Sequence, residues 1–166
     1  MTPQTISSLA AALAAGQYPD WSGLPPGVTL DPADAQPAAL GERGLPAVLV
    51  HLDDPAPGCS ARAWTDPDTG RVVLLEVAWT AAPPEWPAGL GEPDRREDVI
   101  DGLVAVAGGE WVYAGRGLAV VTSPDGRHVR HAFGFAPTSV DAYARDLRVG
   151  LAVTRRPPTT HGGAGR

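Results

Sequence analysis

Apolar residues along this chain fall into short runs separated by proline, glycine and aspartate, a pattern typical of short strands joined by turns. The run at residues 47–52 predicts a buried strand. Residues 60–65 and 71–79 predict a hairpin closed by a turn at 66–70, where proline and glycine supply the backbone angles that a turn needs. Since both faces of residues 71–79 are apolar, we expect that strand in the centre of a sheet.

A second predicted hairpin resembles the first one. Residues 117–122 and 127–135 alternate as strands do, and residues 123–126 form a turn between them. Residues 64–72 and 121–129 share one order: a strand, a threonine, a turn with proline, aspartate and glycine, an arginine and a second strand. Together the hairpins predict an antiparallel meander. An internal structural repeat and a chance likeness of two turns are both open explanations.

Helical spacing is found on either side of this β-rich stretch. Ile6, Leu9 and Leu13 repeat at the period of a helix, which we expect over residues 1–16 with a glycine ending it. Residues 138–149 predict a second helix, with threonine and serine as caps at its start. Its apolar stripe is formed by Val140, Tyr143, Ala144 and Leu147.

These elements predict one domain of the α+β class over residues 1–153, an antiparallel β-meander sheet packed by an N-terminal and a C-terminal helix. The sheet is expected over residues 47–135. Residues 17–46 are rich in proline and glycine and predict an irregular segment, and residues 154–166 predict a flexible tail. The length of 166 residues is that of one domain, and it is enough for a core without disulfides.

The charge of the chain narrows the classes of partner. The formal net charge is −6, and all 13 basic residues are arginines that never cluster beyond a pair. A protein that binds nucleic acid usually carries a basic face, because contacts with phosphates supply much of the affinity. We therefore expect no nucleic acid partner, and an acidic surface is compatible with a basic protein as the partner.

The cysteine content and the first residues bear on the compartment. Cys59 is the only cysteine, which excludes an internal disulfide and a zinc ribbon and favours a structural thiol in the reduced cytoplasm. The apolar segment at residues 6–15 has no arginine or lysine before it and is too short for a bilayer span. We therefore expect a cytoplasmic protein without a secretory signal or a membrane partner.

Four pieces of sequence between residues 85 and 135 resemble a known pattern. They are Leu-Gly-Glu-Pro at 90–93, Glu-Trp-Val-Tyr at 110–113, the strand at 117–121 and Asp-Gly-Arg-His-Val at 125–129. This order is similar to the SmpA/BamE outer-membrane lipoprotein family, whose small two-layer module is shared by the β-lactamase-inhibitor-protein fold. The resemblance implies a module that binds other proteins rather than one that catalyses a reaction. Since we find no signal peptide and no lipidated N-terminal cysteine, it bears on the fold more than on the location.

Candidate metal-binding and catalytic residues are few. His128 and His131 stand three apart, but on a strand they would point to opposite faces, so we expect no metal site and no cofactor. Residues 66–70 lack the further ligands of a calcium loop and are predicted to be a turn. The acidic residues of 92–101 are interrupted by two arginines and predict a solvated face, with a paired-carboxylate hydrolase as the alternative. No catalytic residue is assigned, and His131 is the best candidate if the protein is an enzyme.

Two classes of function remain. The first is a non-catalytic protein-binding or accessory protein, for instance of the immunity or inhibitor type, in which aromatic side chains anchor the interface. We expect the binding residues to be Tyr18, Trp21, Trp86, Trp111 and Tyr113. The second is a small-molecule-binding or cyclase-like enzyme with a pocket in the sheet, lined by His131, Trp111 and Tyr113. The sequence favours the first class and leaves the partner's identity and the oligomeric state open.

Overall fold

A computed structural model describes residues 6–17, 35–80, 91–101, 104–123, 127–149 and 152–154, and for 97–101, 104–108 and 152–154 it describes the backbone alone. The helices in this part of the chain are α1 (Ile6–Ala14) and α2 (Val140–Asp146), with a 3₁₀ turn at Ala114–Arg116. The strands are β1 (Gln36–Leu40), β2 (Leu45–Leu52), β3 (Cys59–Thr65), β4 (Val72–Trp79), β5 (Arg95–Asp101), β6 (Val104–Tyr113), β7 (Leu118–Thr122), β8 (Val129–Gly134) and β9 (Ala152–Thr154).

The strands form one antiparallel sheet in the order β1-β2-β3-β4-β8-β7-β6-β5-β9. Strand β4 pairs with β8, where Val77 lies opposite Ala132, and not with β5, which follows it in sequence. The sheet therefore consists of two four-stranded meanders, β1–β4 and β5–β8, joined edge to edge, with β9 added beside β5. The α+β class, the antiparallel sheet and the two packed helices are confirmed.

The two predicted hairpins share an irregularity as well as turn residues. In the first, Thr65 pairs with Val72 while Trp64 pairs with Leu74, so β4 carries one extra residue, a β-bulge. In the second hairpin, Thr122 pairs with Val129 while Val121 pairs with His131, so β8 carries one extra residue at the equivalent place. An equivalent backbone hydrogen bond closes each turn. The Asp66 amide donates to the Arg71 carbonyl at 2.8 Å, and the Ser123 amide donates to the His128 carbonyl at 2.7 Å.

The registers of the two hairpins, β3–β4 and β7–β8, are consistent with a local two-fold axis between them. Leu74 and His131 are the first residues to pair after the bulge in β4 and in β8, so they occupy equivalent positions. Glu76 and Phe133 each follow two residues later and are therefore equivalent as well. The same two residues lie opposite each other where β4 pairs with β8. An axis perpendicular to the sheet therefore passes between them.

The helices cover opposite faces of the sheet, which we call the α1 face and the α2 face. Leu9 and Leu13 of α1 are buried against the side of β4 that carries Leu75 and Val77. On the other face the ring of Tyr143 in α2 stacks on Phe135, with 4.7 Å between centroids. The predicted cap of α2 is Ser139, whose hydroxyl oxygen accepts a hydrogen bond from the Ala142 amide at 3.2 Å.

Strand β1 lies inside the segment predicted to be irregular, so that prediction was wrong over residues 36–40. Pro37 argues against a strand in the sequence, because proline has no N–H to donate to the ladder. Proline is tolerated mainly in strands at a sheet edge, and β1 lies at an edge. The turn after β1 packs against the end of α2, where the Gly41 amide donates to the Arg148 carbonyl at 2.7 Å. Gly41 has φ +72°, and a Cβ there would overlap the Arg145 carbonyl oxygen.

Helix and tail boundaries also differ from the predictions. α1 (Ile6–Ala14) ends two residues before the predicted end at residue 16, and residues 1–5 of its predicted range lie outside the described residues. α2 (Val140–Asp146) is shorter than the predicted range of 138–149. Strand β9 ends at Thr154, where the tail was expected to begin, and the rest of that predicted tail lies outside the described residues.

Candidate functional site

The aromatic residues expected to bind a partner divide into two groups. Three of them lie outside the described residues: Tyr18, Trp21 and Trp86. Trp111 lies opposite Val120 in the β6–β7 ladder, and Tyr113 points to the same face, which is the α1 face. His131 lies opposite Val121 and therefore points to the α2 face. The structure thus brings Trp111 and Tyr113 to one face and separates both from His131.

Trp111 forms the centre of a small surface group with Arg96 and Glu92, which we call the Trp111 patch. Arg96 of β5 lies opposite Trp111, and its guanidinium stacks over the indole ring at 4.5 Å from the centroid. The same guanidinium donates from Nη2 to Glu92 Oε2 at 3.2 Å. Trp111 is half-buried against the core of the α1 face, whereas the Arg96 and Glu92 side chains are 53% and 90% exposed.

Tyr113 is buried and holds the segment that leads into this patch. Its hydroxyl donates to the Gly91 carbonyl at 3.1 Å. Three residues on, the Asp94 carboxylate accepts a hydrogen bond from the Ala114 amide at 2.9 Å, and the Asp94 amide donates to the Val112 carbonyl. Tyr113 therefore positions residues 91–94, which carry Glu92, rather than offering its own ring to a partner.

A second polar group, the Arg62–Glu76–His131 cluster, lies on the α2 face. Arg62 of β3 lies opposite Glu76 of β4 and donates to both carboxylate oxygens, from Nε at 2.8 Å and from Nη2 at 2.9 Å. The imidazole Nδ1 of His131 lies 3.8 Å from Glu76 Oε2. Glu76 is almost fully buried, while 32% of the Arg62 side chain and 26% of the His131 side chain are exposed. Trp64 lies beneath the Arg62 guanidinium, 5.0 Å from the ring centroid.

A third polar group joins α2 to the sheet. The Tyr143 hydroxyl donates to Glu110 Oε2 at 3.0 Å, and Arg148 Nε donates to Glu110 Oε1 at 2.9 Å, all three residues being buried. Arg148 also reaches Glu42 beside the β1–β2 turn, at 3.6 Å. Burial first, then the Glu110 charge and its hydrogen bond, hold the pKa of Tyr143 well above its ordinary value. These contacts fix α2 and the turn in place, which is a structural role.

The remaining candidate chemistries are accounted for by local structure. The carboxylate of Asp66 accepts from the amides of Asp68 and Thr69 at 2.7 and 3.0 Å, and these bonds lower its pKa, so the predicted turn is an Asx-type turn. Cys59 is buried, and desolvation, followed by the nearby Asp54 charge, raises the pKa of its thiol. A raised pKa disfavours the reactive thiolate.

The described residues contain no metal centre and no helix that could cross a membrane. Among them, no three His, Cys, Asp or Glu side chains are grouped as a metal site would need. Neither described helix combines the length and apolar character that crossing a membrane requires. The two buried glutamates on the α2 face both accept hydrogen bonds from arginine, so each has its negative charge compensated.

Sequence reasoning missed Arg62, Glu76, Arg96, Glu110 and Arg148. One local signal existed, because Glu76 is the only charged residue in the apolar strand β4. The other contacts join residues far apart in sequence, such as Glu110 and Arg148, and depend on how the two meanders and α2 come together.

Comparison of the sequence with protein-family models and with curated proteins, and of the structure with solved structures, gave no match. The resemblance of residues 85–135 to the SmpA/BamE family therefore stays a prediction.

Proposed function

We propose that the protein acts by binding another protein, without catalysis, and that the Trp111 patch belongs to the contact surface. The immunity or inhibitor type predicted from sequence is the form of this proposal that we favour. The cytoplasm remains the compartment in which we expect it, and a basic protein remains the expected partner because of the net charge of −6.

The observation that carries the proposal is the stacking of Arg96 on the half-buried ring of Trp111. Tryptophan and arginine are the residue types enriched among those that dominate binding energy at protein interfaces. The indole is already held on one side by the core of the α1 face, and Glu92 holds the far end of the guanidinium. Because the pair is ordered before binding, less conformational entropy is lost when a partner covers it.

The geometry gives less support to the enzyme alternative. A pocket in the sheet would need His131, Trp111 and Tyr113 around one chamber, but His131 faces α2 and the two aromatic residues face α1. Both buried glutamates compensate an arginine charge, and Tyr113 is tied to the Gly91 carbonyl. Glu76 is the one of these side chains that lies beside His131, and both of its oxygens already accept hydrogen bonds from Arg62, which does not favour a role as a nucleophile.

Affinity capture from the native host, followed by mass spectrometry, tests the proposal. The tagged wild-type chain is compared with Trp111→Ala and Arg96→Ala, and we expect a specific protein to be enriched by the wild type and depleted with both variants. Arg43→Ala is the matched control, because Arg43 is about as exposed as Arg96, at 57% against 53%, and forms an ion pair with Asp146 at 3.4 Å, away from the patch.

Equal enrichment of that protein by the wild type and both patch variants would contradict the assigned surface. Turnover of a metabolite by the pure chain would contradict the absence of catalysis. Circular dichroism of each variant checks that the fold is retained.

A further inference from the structure

The Arg62–Glu76–His131 cluster places polar side chains where the fold does not need them. The local two-fold axis gives each member an equivalent position in the other hairpin, and those positions are apolar: Ala119 for Arg62, Phe133 for Glu76 and Leu74 for His131. All three apolar residues are at most 1% exposed. Because burying a carboxylate is costly even when it is paired, a structural role alone does not explain this choice.

Within the cluster some N–H donors have no partner among the described residues, whereas both oxygens of the strongest acceptor, Glu76, are occupied. Both oxygens of Glu76 accept from Arg62, through Nε and Nη2, which leaves the Nη1 edge of the half-exposed guanidinium. The Nδ1 atom of His131 is buried and makes no hydrogen bond to any described residue. Since Nδ1 points towards the Glu76 carboxylate, Nε2 lies on the opposite side of the imidazole ring.

Protonation of His131 completes this arrangement. A protonated imidazole donates from both nitrogens, so Nδ1–H turns to Glu76 and Nε2–H is left for a ligand. The cluster then carries one positive charge in excess, because the charges of Arg62 and Glu76 compensate each other. Two N–H donors next to a net positive charge suit an anion with two oxygens.

We propose that Arg62 and His131, both aligned by Glu76, form a proton-linked binding site for a carboxylate group. Trp64 lies beneath the guanidinium, and the Phe133 ring lies nearly parallel to the imidazole with 6.3 Å between centroids. Both aromatic side chains are buried and support the two donors from the core side. The site lies on the α2 face and is independent of the Trp111 patch.

One further titratable group adjoins the cluster, and the other charged groups form a separate network. The titratable and charged side chains on this face, besides His131, are His51 of β2, which lies opposite Arg62, Arg62 of β3, Glu76 of β4, Glu110 of β6, Tyr143 of α2 and Arg148 after α2. Glu110 is held by Tyr143 and Arg148, and Glu76 is the carboxylate that lies 3.8 Å from the imidazole.

Nuclear magnetic resonance of the full chain tests the site with two probes. Succinate stands for a free small acid, and N-acetyl-glutamate amide stands for the acidic side chain of a protein. We expect a saturable shift of the His131 ring signals with at least one probe at pH 6, and an affinity about tenfold lower at pH 8. The probe that binds more tightly identifies the source of the carboxylate.

Two variants separate the site from general effects of charge. Arg62→Met with Glu76→Leu removes the ion pair without leaving a buried charge, so the fold is retained and the probe-induced shift should disappear. Arg43→Met, which removes an exposed arginine elsewhere, should leave the shift unchanged. The absence of a saturable His131 shift with either probe would overturn the proposal. So would equal binding at the two pH values, or the same shift in the Arg62→Met/Glu76→Leu variant.

Discussion

Replacing Arg148 by methionine should destabilise this protein more than any change at an exposed ion pair. The variant keeps most of the side-chain volume but removes the hydrogen bond from Arg148 Nε to Glu110 Oε1 at 2.9 Å. Both side chains are almost fully buried, at 5% and 2% exposed, so water cannot replace the lost partner. Glu110 would then be a buried carboxylate that keeps the hydrogen bond from the Tyr143 hydroxyl but loses the compensating guanidinium.

The magnitude follows from the burial of the pair. Breaking a buried ion pair by removing one partner costs about 3–5 kcal/mol, whereas the contact with the half-exposed Glu42 adds little. We expect a loss of about 3 kcal/mol, the lower end, because the Tyr143 hydroxyl still donates to the carboxylate. For a chain of this size that loss lowers the melting temperature by roughly 6–12 °C.

Urea unfolding followed by tryptophan fluorescence measures this change in the free energy of unfolding. The matched control is Arg145→Met, three residues earlier, where the arginine is 52% exposed and pairs with Asp146 at 3.0 Å. An exposed pair of that kind contributes about 0–1 kcal/mol. If the two variants lose the same small amount, the Glu110 network does not anchor α2, and the reasoning fails.

Three further predictions concern other contacts. Arg62→Met alone should cost about 2–3 kcal/mol, reduced from the fully buried value because Arg62 is partly exposed, whereas adding Glu76→Leu should restore most of the stability in the same urea assay. Because the pKa of Tyr143 is raised in the folded state, the protonated hydroxyl contributes fully to the free energy of unfolding below about pH 10. As the pH rises from there, this contribution falls by about 1.4 kcal/mol per pH unit, and Tyr143→Phe should lack that fall in alkaline unfolding curves. Gly41→Ala should destabilise more than Gly44→Ala in thermal unfolding, because both have positive φ but only a Cβ at Gly41 meets backbone atoms, and equal losses would show that the contact with α2 is not tight.

The hairpins could be predicted from sequence because their information is local. The turn at 66–70 carries its own proline, aspartate and glycine, and the register of β3 against β4 follows from it. Strand β1 could not be found in this way, because Pro37 suppresses the strand signal and the strand is held by pairing with β2 and by Gly41 against Arg148.

The pairing of β4 with β8 and the polar clusters were beyond local reasoning. Val77 and Ala132 belong to different meanders and are far apart in sequence, and no feature of either strand selects the other. Alternation could place His131 on one face of β8 and Trp111 on one face of β6, but only the register across β7 shows that these faces are opposite. The stacking of Arg96 on Trp111 depends on that same register and on the register of β5.

The central claim, that this protein binds a protein through the Trp111 patch, is tested most directly by calorimetry with the purified captured partner. Removal of an interface residue that dominates binding costs at least about 2 kcal/mol of binding free energy, so Trp111→Ala should raise the dissociation constant by about thirtyfold. Arg43→Ala should leave it within about twofold, since rim charges away from the contact contribute little to affinity. Equal affinities of the wild type and Trp111→Ala would contradict the claim.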